Sequence, residues 1–91
     1  MELEQLRIFA TVVKYRSFSE AARRLYIRHS TTSRAVSALE KELDVRLVER
    51  DNRVIDLTAA GKVLAEEAAR LLELEQAAAE RVKSAAKVEE N

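Results

Sequence analysis

Apolar residues recur at helical spacing through the first half of the chain. Leu3, Leu6, Phe9, Ala10 and Val13 form one stripe, which predicts a first helix over Glu2 to Tyr15 with Glu2 and Glu4 at the favourable end of its dipole. Ser17 and Glu20 then make an S-x-x-E capping pair ahead of Ala21, Ala22 and Leu25, which marks a second helix. That helix ends near Leu25 or Tyr26, with Ile27 anchoring a turn. Thr32, Val36, Leu39 and Leu43 are offset by four, three and four, one face of a third helix. It begins near Arg28 to Ser30, ends at about Leu43, and stops at Asp44. Its other face carries His29, Ser30, Ser33, Arg34 and Ser37, small hydrogen-bonding side chains and one guanidinium. Two helices so joined, the second with a polar outer face, predict a helix-turn-helix whose second helix reads DNA.

From Val45 to Leu57 the period changes. Leu47 and Val48, then Arg50-Asp51-Asn52-Arg53, then Val54, Ile55 and Leu57 predict two short strands around a polar turn, a wing with Arg50 and Arg53 near its tip. Arginines beside a recognition helix reach phosphates or a narrow minor groove, whereas on an isolated hairpin they would be ordinary surface groups. Thr58 caps the next segment, and from Ala59 to about Val88 there is no proline and only Gly61. Thirty helical residues span roughly 45 Å, too long for a domain of this size to bury on all sides. Leu64, Ala68, Leu71, Leu72, Ala78, Ala79, Val82 and Ala86 stripe this helix, and its alanines permit close approach of a second copy. Glu67, Glu75 and Arg81 break a strict heptad, so an antiparallel or crossed pair is expected rather than a long coiled coil. The last residues, Lys83 to Asn91, are expected to fray.

Composition sharpens this picture. The 91 residues predict a mainly α fold: a winged helix-turn-helix of three helices and a hairpin over residues 1–58, then a long dimerisation linker helix over 59–91. With one glycine and no proline the chain favours helices, and with no cysteine it has neither a disulfide framework nor a thiolate metal site. No apolar run suits a membrane span or a signal peptide, so a cytoplasmic protein without membrane partners is expected. The net charge is zero, yet between Lys14 and Arg34 six cations (Lys14, Arg16, Arg23, Arg24, Arg28, Arg34) face one acid, Glu20, while acids lead seven to five from Ala59 onward. That asymmetry suits a local DNA-binding face.

At this point the sequence resembles the DNA-binding domain of LysR-type transcriptional regulators. The resemblance rests on Leu3-x-x-Leu6-x-x-Phe9, Ser17-Phe18-Ser19-x-Ala21-Ala22-x-x-Leu25, Ser33-Arg34-x-Val36-x-x-Leu39-Glu40-x-x-Leu43, Val45-Arg46-Leu47-x-x-Arg50 and Leu57-Thr58-x-Ala60-Gly61. It implies a bacterial regulator that binds paired half-sites as a homodimer through its linker helix. It also implies a larger ligand-binding domain beyond that helix, so this stretch is expected to be a fragment without an effector site. Arg28-His29-Ser30 stands where the family usually has Ser-Gln-Pro, which removes the usual N-cap and suggests that Ser30 takes over as cap.

The expected DNA contacts are Arg28, His29, Ser30, Thr31, Ser33, Arg34 and Ser37 on the third helix and Arg50 and Arg53 on the wing. The expected dimer contacts are Leu64, Ala68, Leu71, Leu72, Ala78, Ala79 and Val82. A protein-interaction module built on the alanine-rich rod is the alternative, though the wing arginines argue against it. An enzyme is the weakest reading. His29 lies beside Ser30 and Ser33 without an orienting carboxylate, and no phosphate-binding glycine loop, metal-ligand cluster or cofactor motif exists in the sequence.

Overall fold

The computed structural model describes residues 1–51 and 54–90. In chain order they form α1 (Leu3–Tyr15), α2 (Phe18–Leu25), α3 (His29–Leu43), β1 (Val48–Asp51), β2 (Val54–Leu57) and α4 (Ala59–Glu90). The architecture is mainly α, three helices and a two-stranded wing followed by one long helix.

The core gathers around α1, which packs against α2, α3 and α4. Because three helices cover it, α1 buries a broad arc, Leu6, Ile8, Phe9 and Val12, rather than the narrower stripe expected from spacing. Leu3 is therefore exposed, and Ala10 and Val13 are only half-buried. Val36 and Leu39 of α3 and Leu47, Val48 and Ile55 of the wing complete the cluster. Each such side chain, fully buried, contributes about 1.5–3 kcal/mol. Thr32 is fully buried beside them, and its hydroxyl donates to the Arg28 carbonyl at 3.3 Å, so no polar atom is left without a partner. Leu43, placed on this face by its spacing, is exposed instead, because the core ends at Leu39 and the last turn of α3 overshoots it.

Local chemistry sets the helix ends. At α1 the Glu2 N–H donates to Gln5 Oε1 at 3.0 Å. Ser17 Oγ accepts the Glu20 N–H at 3.0 Å, which is the first half of the expected capping box. The Glu20 carboxylate does not complete it. It turns to Arg23 (Nε, 3.1 Å) and Arg24 (Nε, 2.9 Å), three and four residues along the same face. These hydrogen bonds, Arg23 first and Arg24 next, lower the Glu20 pKa from 4.5 to about 2, and Glu20 in turn raises that of Arg23. The three early helices stop at Arg16, Tyr26 and Asp44, with φ of 53°, 57° and 55°, all left-handed and none of them glycine. At Tyr26 the stop is secured by two backbone bonds, Tyr26 N–H to Arg23 O and Ile27 N–H to Ala22 O.

The single glycine serves another purpose. Thr58 roots the wing: its N–H donates to Leu47 O at 3.1 Å, its hydroxyl donates to Arg46 O, and its Oγ accepts the Gly61 N–H at 3.0 Å, capping α4 as expected. A Cβ on Gly61 would lie 2.0 Å from Leu47 O and 3.3 Å from Leu57 Cδ2, so the backbones of α4 and the wing meet only because that atom is absent.

α4 is a continuous 32-residue helix, and the longest dimension of the molecule is 58 Å. Leu64 and Ala68 are 7% and 0% exposed inside this chain's own core. That corrects their assignment to a partner-facing surface: α1 covers them. The helix runs on through Glu90, across the segment from Lys83 that was expected to fray. Alanine's high helix propensity and the Lys83–Glu80 pair at 3.8 Å support this last segment.

Two outcomes check these contacts. Gly61→Ala is expected to lose at least about 1–3 kcal/mol in urea unfolding, from overpacking against backbone that cannot yield; unchanged stability would mean that α4 and the wing do not meet so closely. Glu20 is expected to titrate near 2 by carboxyl-carbon NMR. Its ion cluster is thus complete above about 4.5 and lost as pH falls through about 2, because the folded value lies below the ordinary one. A midpoint that stayed near 4.5, and did not move in Arg23→Ala, would show that the cluster does not form in solution.

Candidate nucleic-acid interface

The burial of α3 decides which of its side chains face outward. Thr32, Ala35, Val36 and Leu39 are buried. At 3.6 residues per turn, Ser30, Arg34 and Ser37 stand opposite them, and all three are exposed. Lys41 continues the row one turn further and is also exposed; sequence reasoning missed it, although its offset of four from Ser37 was the signal. His29 and Thr31 are exposed on either flank of the first turn, and Ser33 is half-buried at the edge of the row.

The start of α3 is chemically open. Arg28 is its N-cap, with extended backbone (φ −76°, ψ 149°), and no side chain caps the first turn. Ser30 is therefore not the cap that the family comparison suggested; it is the second residue of the helix and lies exposed. The helix closes through the Thr32 N–H to Arg28 O at 3.2 Å. The earliest N–H groups lack a side-chain cap and the first turn holds no acid, so this end of α3 keeps its positive dipole.

The six cations counted between Lys14 and Arg34 do not act as one patch. Arg23 and Arg24 are held by Glu20, and both Lys14 and Arg24 lie over the Tyr15 ring, at 5.4 and 4.6 Å. Arg28 and Arg34 form no ion pair with a described carboxylate. Arg16, at the end of α1, has no described carboxylate partner either, but Arg28 and Arg34 are the two that lie on the N-terminal half of α3, the same end that exposes His29, Ser30 and Thr31.

The wing lies beside it. β1 and β2 pair antiparallel, Val48 opposite Leu57, Glu49 opposite Asp56, Arg50 opposite Ile55 and Asp51 opposite Val54. Val48 and Ile55 are buried while Glu49 and Asp56 are exposed, so Arg50 shares the inward face with Val48. Its guanidinium stacks on Phe18, with Cζ 4.4 Å from the ring centroid. Arg50 accordingly sits within β1, one residue from its end, and Arg53, also assigned near the wing tip, lies outside the described residues. The wing's height is set by Glu40. Its carboxylate accepts the N–H of Leu47 at 2.8 Å and of Val48 at 3.4 Å, with Arg46 Nε 3.8 Å away. In the sequence Glu40 figures only within the pattern Leu39-Glu40-x-x-Leu43. It is a brace between α3 and β1, a role that no local pattern signals.

Beyond Ala68 the outer flank of α4 is apolar and uncovered. Leu71, Leu74 and Val82 are 36, 60 and 70% exposed; Ala78 and Ala79 are exposed too, and Leu72 is half-buried. Leu74 was absent from the expected set. It belongs to the row Leu71, Leu74, Ala78 and Val82, which is rotated from the stripe that packs on α1. A shallow apolar groove lined by Leu43, Val45, Ala60, Val63 and Leu71 continues this row toward the base of the wing.

Comparisons with known proteins agree with this geometry. The family described as "Bacterial regulatory helix-turn-helix protein, lysR family" matches residues 3–62. The transcriptional regulator TfdT of Cupriavidus pinatubonensis is 39% identical over 89 residues, 98% of this chain and 39% of that protein. ClcR of Pseudomonas putida is 40% identical over 89 residues, 98% of this chain and 30% of that protein. The chain thus spans well under half the length of these curated relatives. Among solved structures, the CbnR DNA-binding domain in complex with DNA superposes with a TM-score of 0.90 at 41% identity, covering 94% of this chain and 99% of that one. The BenM DNA-binding domain on catB site 1 DNA gives 0.89 at 36%, covering 92% and 93%. The winged helix-turn-helix, the outward row on α3 and these matches make the chain a member of the LysR family of bacterial regulators, as the DNA-binding domain of such a protein and not an enzyme.

Proposed function

We propose that the domain binds specific double-stranded DNA as a homodimer, with α3 in the major groove and the wing on the flanking backbone or minor groove. The observation that carries this reading is the row Ser30, Arg34 and Ser37, exposed opposite the buried face of α3, with Arg28 and Arg34 unpaired among the described residues. Arg34 makes a bidentate contact to guanine or clamps a phosphate. His29, Ser30 and Thr31 meet base edges, the Thr31 methyl suiting that of thymine. Arg28, Ser33 and Ser37 hold phosphates, and Arg50 and Arg53 grip the flank. The complexes of CbnR and BenM DNA-binding domains with DNA support the choice of ligand.

Residues 1–58 read the duplex and residues 59–91 join two copies, so that paired half-sites are bound together. The uncovered row of Leu71, Leu74, Ala78 and Val82, with Leu72 and Ala79 at its edge, supports an antiparallel or crossed pairing of two α4 helices. The apolar groove beside Val63 extends the surface available to the partner.

Titration of a labelled duplex from the native promoter region tests the DNA reading. Arg34→Ala is expected to weaken binding by about 1–3 kcal/mol and to flatten sequence preference. Wild-type affinity should fall steeply as salt rises, through release of counterions from phosphate. Unchanged affinity and preference in Arg34→Ala would remove Arg34 from the interface, and a flat salt dependence would favour a protein-interaction module. Sedimentation of Leu74→Glu tests the pairing: a shift from dimer to monomer is expected, and an intact dimer would place the contact elsewhere.

A further inference from the structure

Phe18 lies where α2, α3 and the wing converge. It is the first residue of α2 and is 6% exposed, part of the core cluster. The Arg50 guanidinium covers its ring at 4.4 Å, and the His29 imidazole stands 6.2 Å away, tilted by 48°. One aromatic ring therefore touches the first residue of α3 and the described arginine of the wing. A charged residue on the inward side of a strand normally needs a carboxylate or a water channel. Arg50 has no described carboxylate partner. Its weakly hydrated guanidinium lies over the ring instead, and the residue as a whole remains exposed.

We propose that Phe18 is a positioning residue for DNA binding: its ring holds the Arg50 guanidinium beside the N-terminal end of α3 before any duplex arrives. The inference rests on the DNA-binding reading above. A free arginine must surrender several rotatable bonds to meet a phosphate, and a stacked one has already surrendered most of them. A guanidinium held over the ring also has less freedom to tumble, so its N–H groups are kept beside the α3 row for a phosphate to meet. The wing cation and the α3 row then form one preset surface, bridged by a residue that itself touches no nucleic acid.

A double-mutant cycle on duplex affinity separates this role from plain core packing. Phe18→Leu is expected to weaken binding about three- to tenfold when Arg50 is present and less than about twofold in the Arg50→Ala background. Phe18→Tyr, which keeps the ring, should bind like wild type, whereas Arg50→Lys, which cannot stack as a plane, should behave like Phe18→Leu. Equal losses from Phe18→Leu in both backgrounds would mean that it acts through the core alone and would overturn the proposal; so would no loss in either. Failure of the wild-type domain to bind any duplex would overturn the DNA reading instead. The stacking is then judged without DNA, by NMR of the free protein. Upfield-shifted Arg50 δ-methylene protons that relax in Phe18→Leu support the shelf, and unshifted protons in the wild type overturn it.

Discussion

Burial of one side of α3 is the constraint from which the interface follows. A helix cannot bury and expose the same arc, and its turn angle is fixed. Once Thr32, Ala35, Val36 and Leu39 are drawn into the core around Phe9 and Val12, Ser30, Arg34 and Ser37 have nowhere to go but outward. The hydrophobic core thus determines a polar surface with which it shares no atom. Even Thr32 serves this arrangement: its hydroxyl returns to the Arg28 carbonyl, so a polar residue occupies the centre of the core without an orphaned group.

The same logic places the wing, through different chemistry. Glu40 reaches from α3 to the backbone of β1, Thr58 ties the end of β2 to the start of β1, and Gly61 lets α4 close against both. Each contact crosses from one element to another rather than running along a single helix or strand. Charge pairing does the complementary work of subtraction. Glu20 engages the arginines of α2, while Arg28 and Arg34 at the start of α3 and Lys41 near its end have no described carboxylate partner. A domain of zero net charge can in this way keep a focused positive end.

Much of this was legible in the residues themselves. The three early helices, the hairpin and the long final helix follow from period and caps, because α1, α2 and α3 are amphipathic and Ser17, Asp44 and Thr58 act where their chemistry suggests. The outer row of α3 was legible for the same reason. Three things were not. The inward direction of Arg50 depends on the phase of a four-residue strand, Val-Glu-Arg-Asp, in which only the valine is apolar. The division of α4 between core and uncovered flank was hidden because alanine and leucine occupy more of its circumference than α1 can cover, so Leu64 and Ala68 could not be told from Leu71 and Ala78 by spacing. The part played by Glu40 depends on how far α3 overshoots the core, a tertiary fact with no local signature.

The three left-handed helix ends carry a consequence for how the chain acquires its shape. Arg16 and Tyr26 adopt a backbone state that side chains of their kind disfavour by about 1–2 kcal/mol each, whereas Asp44 is of a kind that visits it more readily. At Tyr26 and Asp44 backbone bonds within the turn itself hold the bend, and at Arg16 and Tyr26 the packed helices on either side must outweigh the cost of the left-handed residue. The bends at Arg16 and Tyr26 are therefore products of consolidation rather than guides to it, and a peptide excised around either is expected to straighten.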